Sequence, residues 1–287
     1  MKKICIILSC AMLALTLASC KGTAASAPKE STTTTTSTQS QASALSGKVA
    51  TGGSTSMEKV ILALSEAYMQ ANPGVTVTYD ATGSGAGITG ALDGVIDLGL
   101  SSRALKAEET GLTATSLALD GIAIVVNKDN KVTDLTIEQI KKIATGEIKN
   151  WKELGGSDME IVFLGREAGS GTRDGFESIV GVKDKCVYAE ELTATGAVIG
   201  KVQANAGGIG YASLASVDEK VKAVTVDGVV ASEATVLDGT YKIQRPFILV
   251  TKTDKEQSAA VKSFIEFATG NDAKEIISNA GAVPPVK

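Results

Sequence analysis

Histidine is absent from all 287 residues, and that gap removes much catalytic chemistry. Without imidazole there is no Ser-His-Asp or Cys-His nucleophile and no His-based metal site. No G-x-S-x-G elbow marks a strained nucleophile. The chain also lacks a basic patch. Once Lys2 and Lys3 are set aside with the N-terminal leader described below, 26 basic residues face 32 acidic ones, a net charge of −6. Nucleic acid is therefore excluded as a partner. A protein of this sign that binds an anion must do so with local dipoles and a buried cation. No enzyme activity, cofactor or metal is expected.

The N-terminus has the layout of an export signal. Lys2 and Lys3 precede an apolar run over residues 4–17, which is too short for a comfortable membrane span. The run ends in Leu17-Ala18-Ser19-Cys20, which resembles a bacterial lipobox. That resemblance implies a lipoprotein signal peptide over 1–20. Cys20 then becomes the lipidated N-terminus, and more than one acyl chain anchors the protein on the extracytoplasmic face of the cell membrane. Residues 21–45 are mostly Ser, Thr, Ala and Gln. With little apolar surface to bury, they read as a disordered tether. Cys5 and Cys10 leave with the signal, so Cys186 is alone in the folded part and no disulfide is expected there. It reads as a buried small hydrophobe.

The remaining residues, about 240, suffice for one large or two small domains. Strand patterns at 75–79, 122–126, 161–163, 223–226 and 247–251 alternate with helical patterns at 57–70, 137–145, 175–180, 258–268 and 273–279. This alternation argues for an α/β fold.

Three Gly/Ser/Thr-rich turns each run into a helical pattern. They are Thr51-Gly52-Gly53-Ser54-Thr55-Ser56, Thr82-Gly83-Ser84-Gly85-Ala86-Gly87, and Arg166 followed by Glu167-Ala168-Gly169-Ser170-Gly171-Thr172. First-turn N–H groups lack intrahelical acceptors, and the helix dipole adds partial positive charge. Glycine permits close approach, hydroxyls add donors, and Arg166 adds a charged fork. One such turn is an ordinary helix cap. Three converging on a point would enclose an oxyanion. Gly85-Ala86-Gly87-Ile88-Thr89-Gly90 also matches G-x-G-x-x-G, but no second strand ending in an acid follows, so no dinucleotide site is expected.

On these turns, together with Asp97-Leu98-Gly99-Leu100-Ser101-Ser102 and Gly207-Gly208-Ile209-Gly210-Tyr211, the chain resembles the phosphate-binding lipoproteins of bacterial phosphate ABC transporters. The resemblance implies a type II periplasmic-binding-protein fold, two α/β lobes joined by two crossover strands with a ligand cleft between. The crossovers fall near 119–121 and 241–246. One lobe combines 46–120 with 246–287, and the other is 121–245. Thr55, Ser56, Ser84 and Ser102 then face Arg166, Ser170, Gly171 and Thr172 across the cleft, with inorganic phosphate between them. Membrane permease subunits of the transporter are the implied partner. Many family members carry Asp where this chain has Ser102, so Asp120, Glu167 or Asp174 are left as candidate acceptors for a protonated phosphate oxygen. Another tetrahedral oxyanion, such as sulfate or molybdate, stays the alternative ligand. Arg103 is expected at the surface, and Trp151 against a helix end.

Overall fold

The computed structural model describes residues 45–285, so the signal, Cys20 and nearly all of the tether lie outside the described residues. The elements run β1 (Gly47–Gly53), α1 (Glu58–Ala71), β2 (Val75–Ala81), α2 (Ser84–Asp93), β3 (Leu98–Ser101), β4 (Leu112–Asn127), β5 (Asp134–Leu135), α3 (Ile137–Ala144), β6 (Val162–Arg166) and α4 (Gly171–Val180). They continue with β7 (Glu190–Leu192), α5 (Thr195–Ala204), β8 (Gly208–Ser213), β9 (Val221–Ala223), β10 (Thr225–Val226), α6 (Glu233–Leu237), β11 (Gln244–Lys252), α7 (Ala259–Thr269) and α8 (Ala273–Asn279). Among the described residues no helix is long and apolar enough to cross a membrane.

One nine-stranded sheet runs in the order β2-β1-β3-β11-β4-β8-β6-β7, with β9 also on β4. At one end β2, β1 and β3 are parallel; at the other, β8, β6 and β7 are parallel. Between them β4 and β11 form a long antiparallel ribbon. The first part of β4, over 112–118, pairs with β11 only, whereas residues 122–126 pair with β8. The ribbon thus threads both ends of the sheet.

Two large apolar cores flank the junction. The first gathers Val49, Met57, Leu64, Leu100 and Leu117 with Phe247 and Phe264. The second gathers Ile124, Ile140, Trp151, Phe163, Phe176 and Tyr211. Burying such side chains contributes about 1.5–3 kcal/mol each. Val283 near the C-terminus packs into the second core. Its backbone exchanges hydrogen bonds with Leu119 at 2.7 and 2.9 Å. Trp151, buried at the start of a short 3-10 helix, donates from Nε1 to the Gly207 carbonyl at 3.0 Å. Cys186 is half-buried beside the second core, less enclosed than expected, and burial pushes its thiol up to about 11. Burial thus lowers the thiolate fraction at neutral pH and with it the reactivity of the thiol. Alkylation of Cys186, followed by peptide mass spectrometry, should therefore be far slower in native than in denatured protein; equal rates would contradict the burial.

Local chemistry explains the helix starts. Thr136 and Gln139 cap α3 reciprocally, and the Ser170 hydroxyl oxygen accepts from the Arg173 N–H to cap α4. At the end of β1, Gly53 has φ 133°, and a Cβ there would lie 2.2 Å from the Leu100 carbonyl oxygen. Only glycine lets β1 turn out against β3 at that point.

Candidate functional site

The glycine-rich turns meet. The first opens the 3-10 turn Thr55–Met57 ahead of α1, the second opens α2 at Ser84, and the third opens α4 at Gly171. A fourth helix start, Thr195 of α5, joins them. All four converge on the junction of the two cores.

The contacts join residues far apart in the chain. Ser56 Oγ lies 2.8 Å from Thr172 Oγ1 and 3.1 Å from Thr195 Oγ1. Thr55 Oγ1 lies 3.0 Å from Thr195 Oγ1 and accepts from the Thr195 N–H at 3.2 Å. The Gly85 N–H donates to the Gly169 carbonyl at 3.0 Å. Ser84 Oγ lies 3.2 Å from Ser102 Oγ and accepts from the Ser102 N–H at 3.1 Å. Thr55, Ser56, Ser84, Ser102, Arg166, Ser170 and Thr172 are all at least 95% buried. The structure therefore brings together every nominated position, with one qualification: the Ser170 hydroxyl oxygen is engaged as the α4 cap.

Two buried guanidinium groups border the cluster. Arg166, 2% exposed, closes β6. Its Nη1 donates to Thr195 Oγ1 at 3.1 Å, and Nε and Nη2 donate to the Glu167 carboxylate at 3.1 and 2.9 Å. The Leu192 and Thr193 carbonyls accept as well. Behind it, the Arg166 N–H donates to Tyr211 Oη at 3.1 Å, and Tyr211 stacks on Phe176 at 4.2 Å between centroids. Burial raises the Tyr211 hydroxyl well above the ordinary phenol range, so it stays protonated there.

The second guanidinium, Arg245, was not nominated from sequence. Asp120 and Arg245 are direct register partners on β4 and β11. Arg245 Nε and Nη2 donate to Asp120 Oδ2 at 3.0 and 2.9 Å, and Nη1 donates to Ser102 Oγ at 3.1 Å. Asp120 Oδ1 accepts from the Ser213 hydroxyl at 2.7 Å. Burial pushes the Asp120 carboxyl up and the Arg245 guanidinium down, and their mutual attraction opposes both shifts. Breaking such a pair costs more than forming it gains.

Arg103 corrects the expectation of a surface position: it is only 8% exposed. Its Nη2 pairs with Glu109 at 2.6 Å and its Nε with Asp174 at 2.9 Å, and Lys106 Nζ reaches Asp174 at 3.2 Å. Buried arginine is tolerated when paired. These contacts tie the loop after β3 to α4, beside the cluster. Each carboxylate nominated as an acceptor is thus matched by a guanidinium: Asp120 by Arg245, Glu167 by Arg166 and Asp174 by Arg103.

Thr195 and Arg245 escaped the sequence reading for different reasons. Thr195-Gly196 does open a helix after a polar turn, a weaker copy of the other three signals. Arg245 sits within a strand beside Pro246, and nothing in its neighbours distinguishes it from an edge arginine.

Hydroxyls and first-turn amides facing each other across two strands, with paired guanidinium groups at the border, define a two-lobed binding protein for a small oxyanion. Comparison with known proteins narrows the class. The profile of the PBP superfamily domain matches residues 26–272. Phosphate-binding protein PstS of Bacillus subtilis is 34% identical over 83% of this chain and 81% of that protein. A putative phosphate ABC transporter substrate-binding protein from Clostridium perfringens, solved with bound phosphate, is 41% identical. It covers 84% of this chain and 100% of that one, with a TM-score of 0.80. An ABC-type phosphate transport receptor from Vibrio cholerae is 36% identical over 83% of this chain and 100% of that one, at a TM-score of 0.68. The chain belongs to the PBP superfamily and, within it, to the phosphate-binding protein PstS family.

Proposed function

We propose that this chain is an extracytoplasmic receptor that captures inorganic phosphate between two lobes and delivers it to the membrane permease of an ABC importer. On this reading 46–120 with 246–287 form one lobe, 121–245 the other, and lipid on Cys20 holds the protein at the membrane. The observation that carries it is the chain of hydroxyls running from Thr55 through Thr195 and Ser56 to Thr172, which joins the two cores. When an anion enters, those hydroxyls turn their hydrogens onto it, joined by the first-turn amides of α2 and α4 and the free donor capacity of Arg166. Closing around the ligand expels water and strengthens each of these bonds.

No bond need be made or broken. The Ser170 hydroxyl caps α4, and among the described residues no general base is hydrogen-bonded to it. Isothermal titration of protein freed of phosphate, with phosphate, sulfate and molybdate in turn, tests the assignment. Phosphate is expected to bind most tightly; tighter sulfate binding overturns the ligand, and no binding of any anion overturns the function.

A further inference from the structure

Resting on the phosphate reading, we propose that Arg103 and Asp174 form a latch across the mouth of the cleft, which holds the two lobes together around the anion and slows its release. Asp174 is then a positioning residue for binding, without itself touching the ligand.

The pair sits close to the anion donors on each side. Arg103 follows Ser102 directly, and Asp174 lies in the first turn of α4 just after Thr172 and Arg173. Arg103 is braced from its own side of the cleft. Its Nη1 and Nη2 donate to the two Glu109 carboxylate oxygens at 2.8 and 2.6 Å, and Nη1 also donates to the Ala104 carbonyl at 2.9 Å. The Lys106 N–H donates to Glu109 as well, at 2.7 Å. What remains of the guanidinium is Nε, which lies 2.9 Å from Asp174 Oδ2. Neither of these two buried atoms has a hydrogen-bond partner among the described residues. The ion pair, joined by Lys106 Nζ at 3.2 Å, is what compensates their burial.

On the lobe assignment above, Arg103, Lys106 and Glu109 belong to one lobe and Asp174 to the other. Apart from Asp120–Arg245 on the crossover strands, the other ion pairs among the described residues stay within a lobe. The contacts of Asp174 are therefore made only in the closed form. A guanidinium already held by Glu109 loses little freedom on meeting Asp174, so little entropy opposes the contact. Solvent reaches the pair from one side, through a cavity of about 280 Å³ bordered by Arg103, Lys106, Asp174 and Arg245. Its contribution thus lies between that of an exposed ion pair and a fully buried one. Charge alone makes the opposite prediction. Asp174 is an anion beside an anion site, and removing a like charge would tighten binding.

The test is the rate of phosphate release from the wild type, Asp174→Asn, Arg103→Lys and the double variant, followed by stopped flow into a coupled phosphate assay. Thermal melts with and without phosphate accompany it. Asp174→Asn should release phosphate about 5- to 30-fold faster than the wild type. Arg103→Lys keeps a cation for Glu109 but cannot span both carboxylates, so it should speed release by a similar factor. The double variant should release phosphate no faster than the quicker single one, because both changes remove the same contact. Melting temperatures should fall further with phosphate bound than without it. The inference is overturned if Asp174→Asn releases phosphate at the wild-type rate or more slowly, if the two effects multiply in the double variant, or if melting falls equally with and without phosphate. A wild type that binds no phosphate would instead sink the phosphate reading, and the latch with it.

Discussion

Gly171→Ala should lose most of the phosphate affinity while leaving the protein as stable as before. A Cβ at that position would lie 2.5 Å from Ser84 Oγ and 2.7 Å from Ser102 Oγ. Both contacts are across the cleft, not within the half to which α4 belongs. Gly171 is the first residue of that helix, and alanine is the better helix former. The substitution therefore strains only the closed arrangement. Overpacking of this kind costs about 1–3 kcal/mol, which corresponds to about a 5- to 150-fold loss of affinity. Calorimetry reads the affinity, and a melt without phosphate reads the fold. Unchanged affinity, or a melting temperature that falls in the absence of ligand, would contradict the interlobe placement of Gly171.

Arg166→Ala should weaken phosphate binding about 10- to 150-fold, as expected for loss of a charged hydrogen bond, against about fivefold for Ser56→Ala. Arg166 also neutralises Glu167. Without it a bare carboxylate is left at the edge of an anion site, and like charge disfavours the ligand further. Ser56 contributes one neutral hydroxyl, bonded to Thr172 and Thr195. Equal losses in the two variants, measured by calorimetry in the same buffer, would remove Arg166 from its assigned position.

The glycine-rich turns were legible because their chemistry is local: Ser or Thr at a helix start, preceded by glycine, states both the cap and the anion-binding amides. Their convergence is not local, and recognition of the family, not periodicity, supplied it. Strand β4 shows the limit. Its second half, 122–126, is an apolar run and reads as a strand, whereas Leu112-Thr113-Ala114-Thr115-Ser116 is small and polar and carries no such pattern. Its extended form comes from pairing with β11. The glycines of β8 hid that strand in the same way, although every residue of it is buried. Residues 175–180 read as helix, yet the helix begins at Gly171, because the Ser170 cap outweighs the weak propensity of glycine. Asp120 reads from the sequence as a candidate acceptor, but its partner Arg245 lies 125 positions away, beyond any spacing argument.

Each guanidinium at the cleft already has a carboxylate of its own, in a protein whose overall charge is negative. The cleft therefore projects little field into solvent, and diffusing anions are drawn in only at contact range. Association should speed up slightly as ionic strength rises, since the long-range interaction with an anion is the repulsion of the net negative charge, which salt screens. How well the receptor retains its cargo is then decided by the rate at which the closed form lets go, a dissociation property governed by the chain of interlobe hydroxyls, not by electrostatic steering.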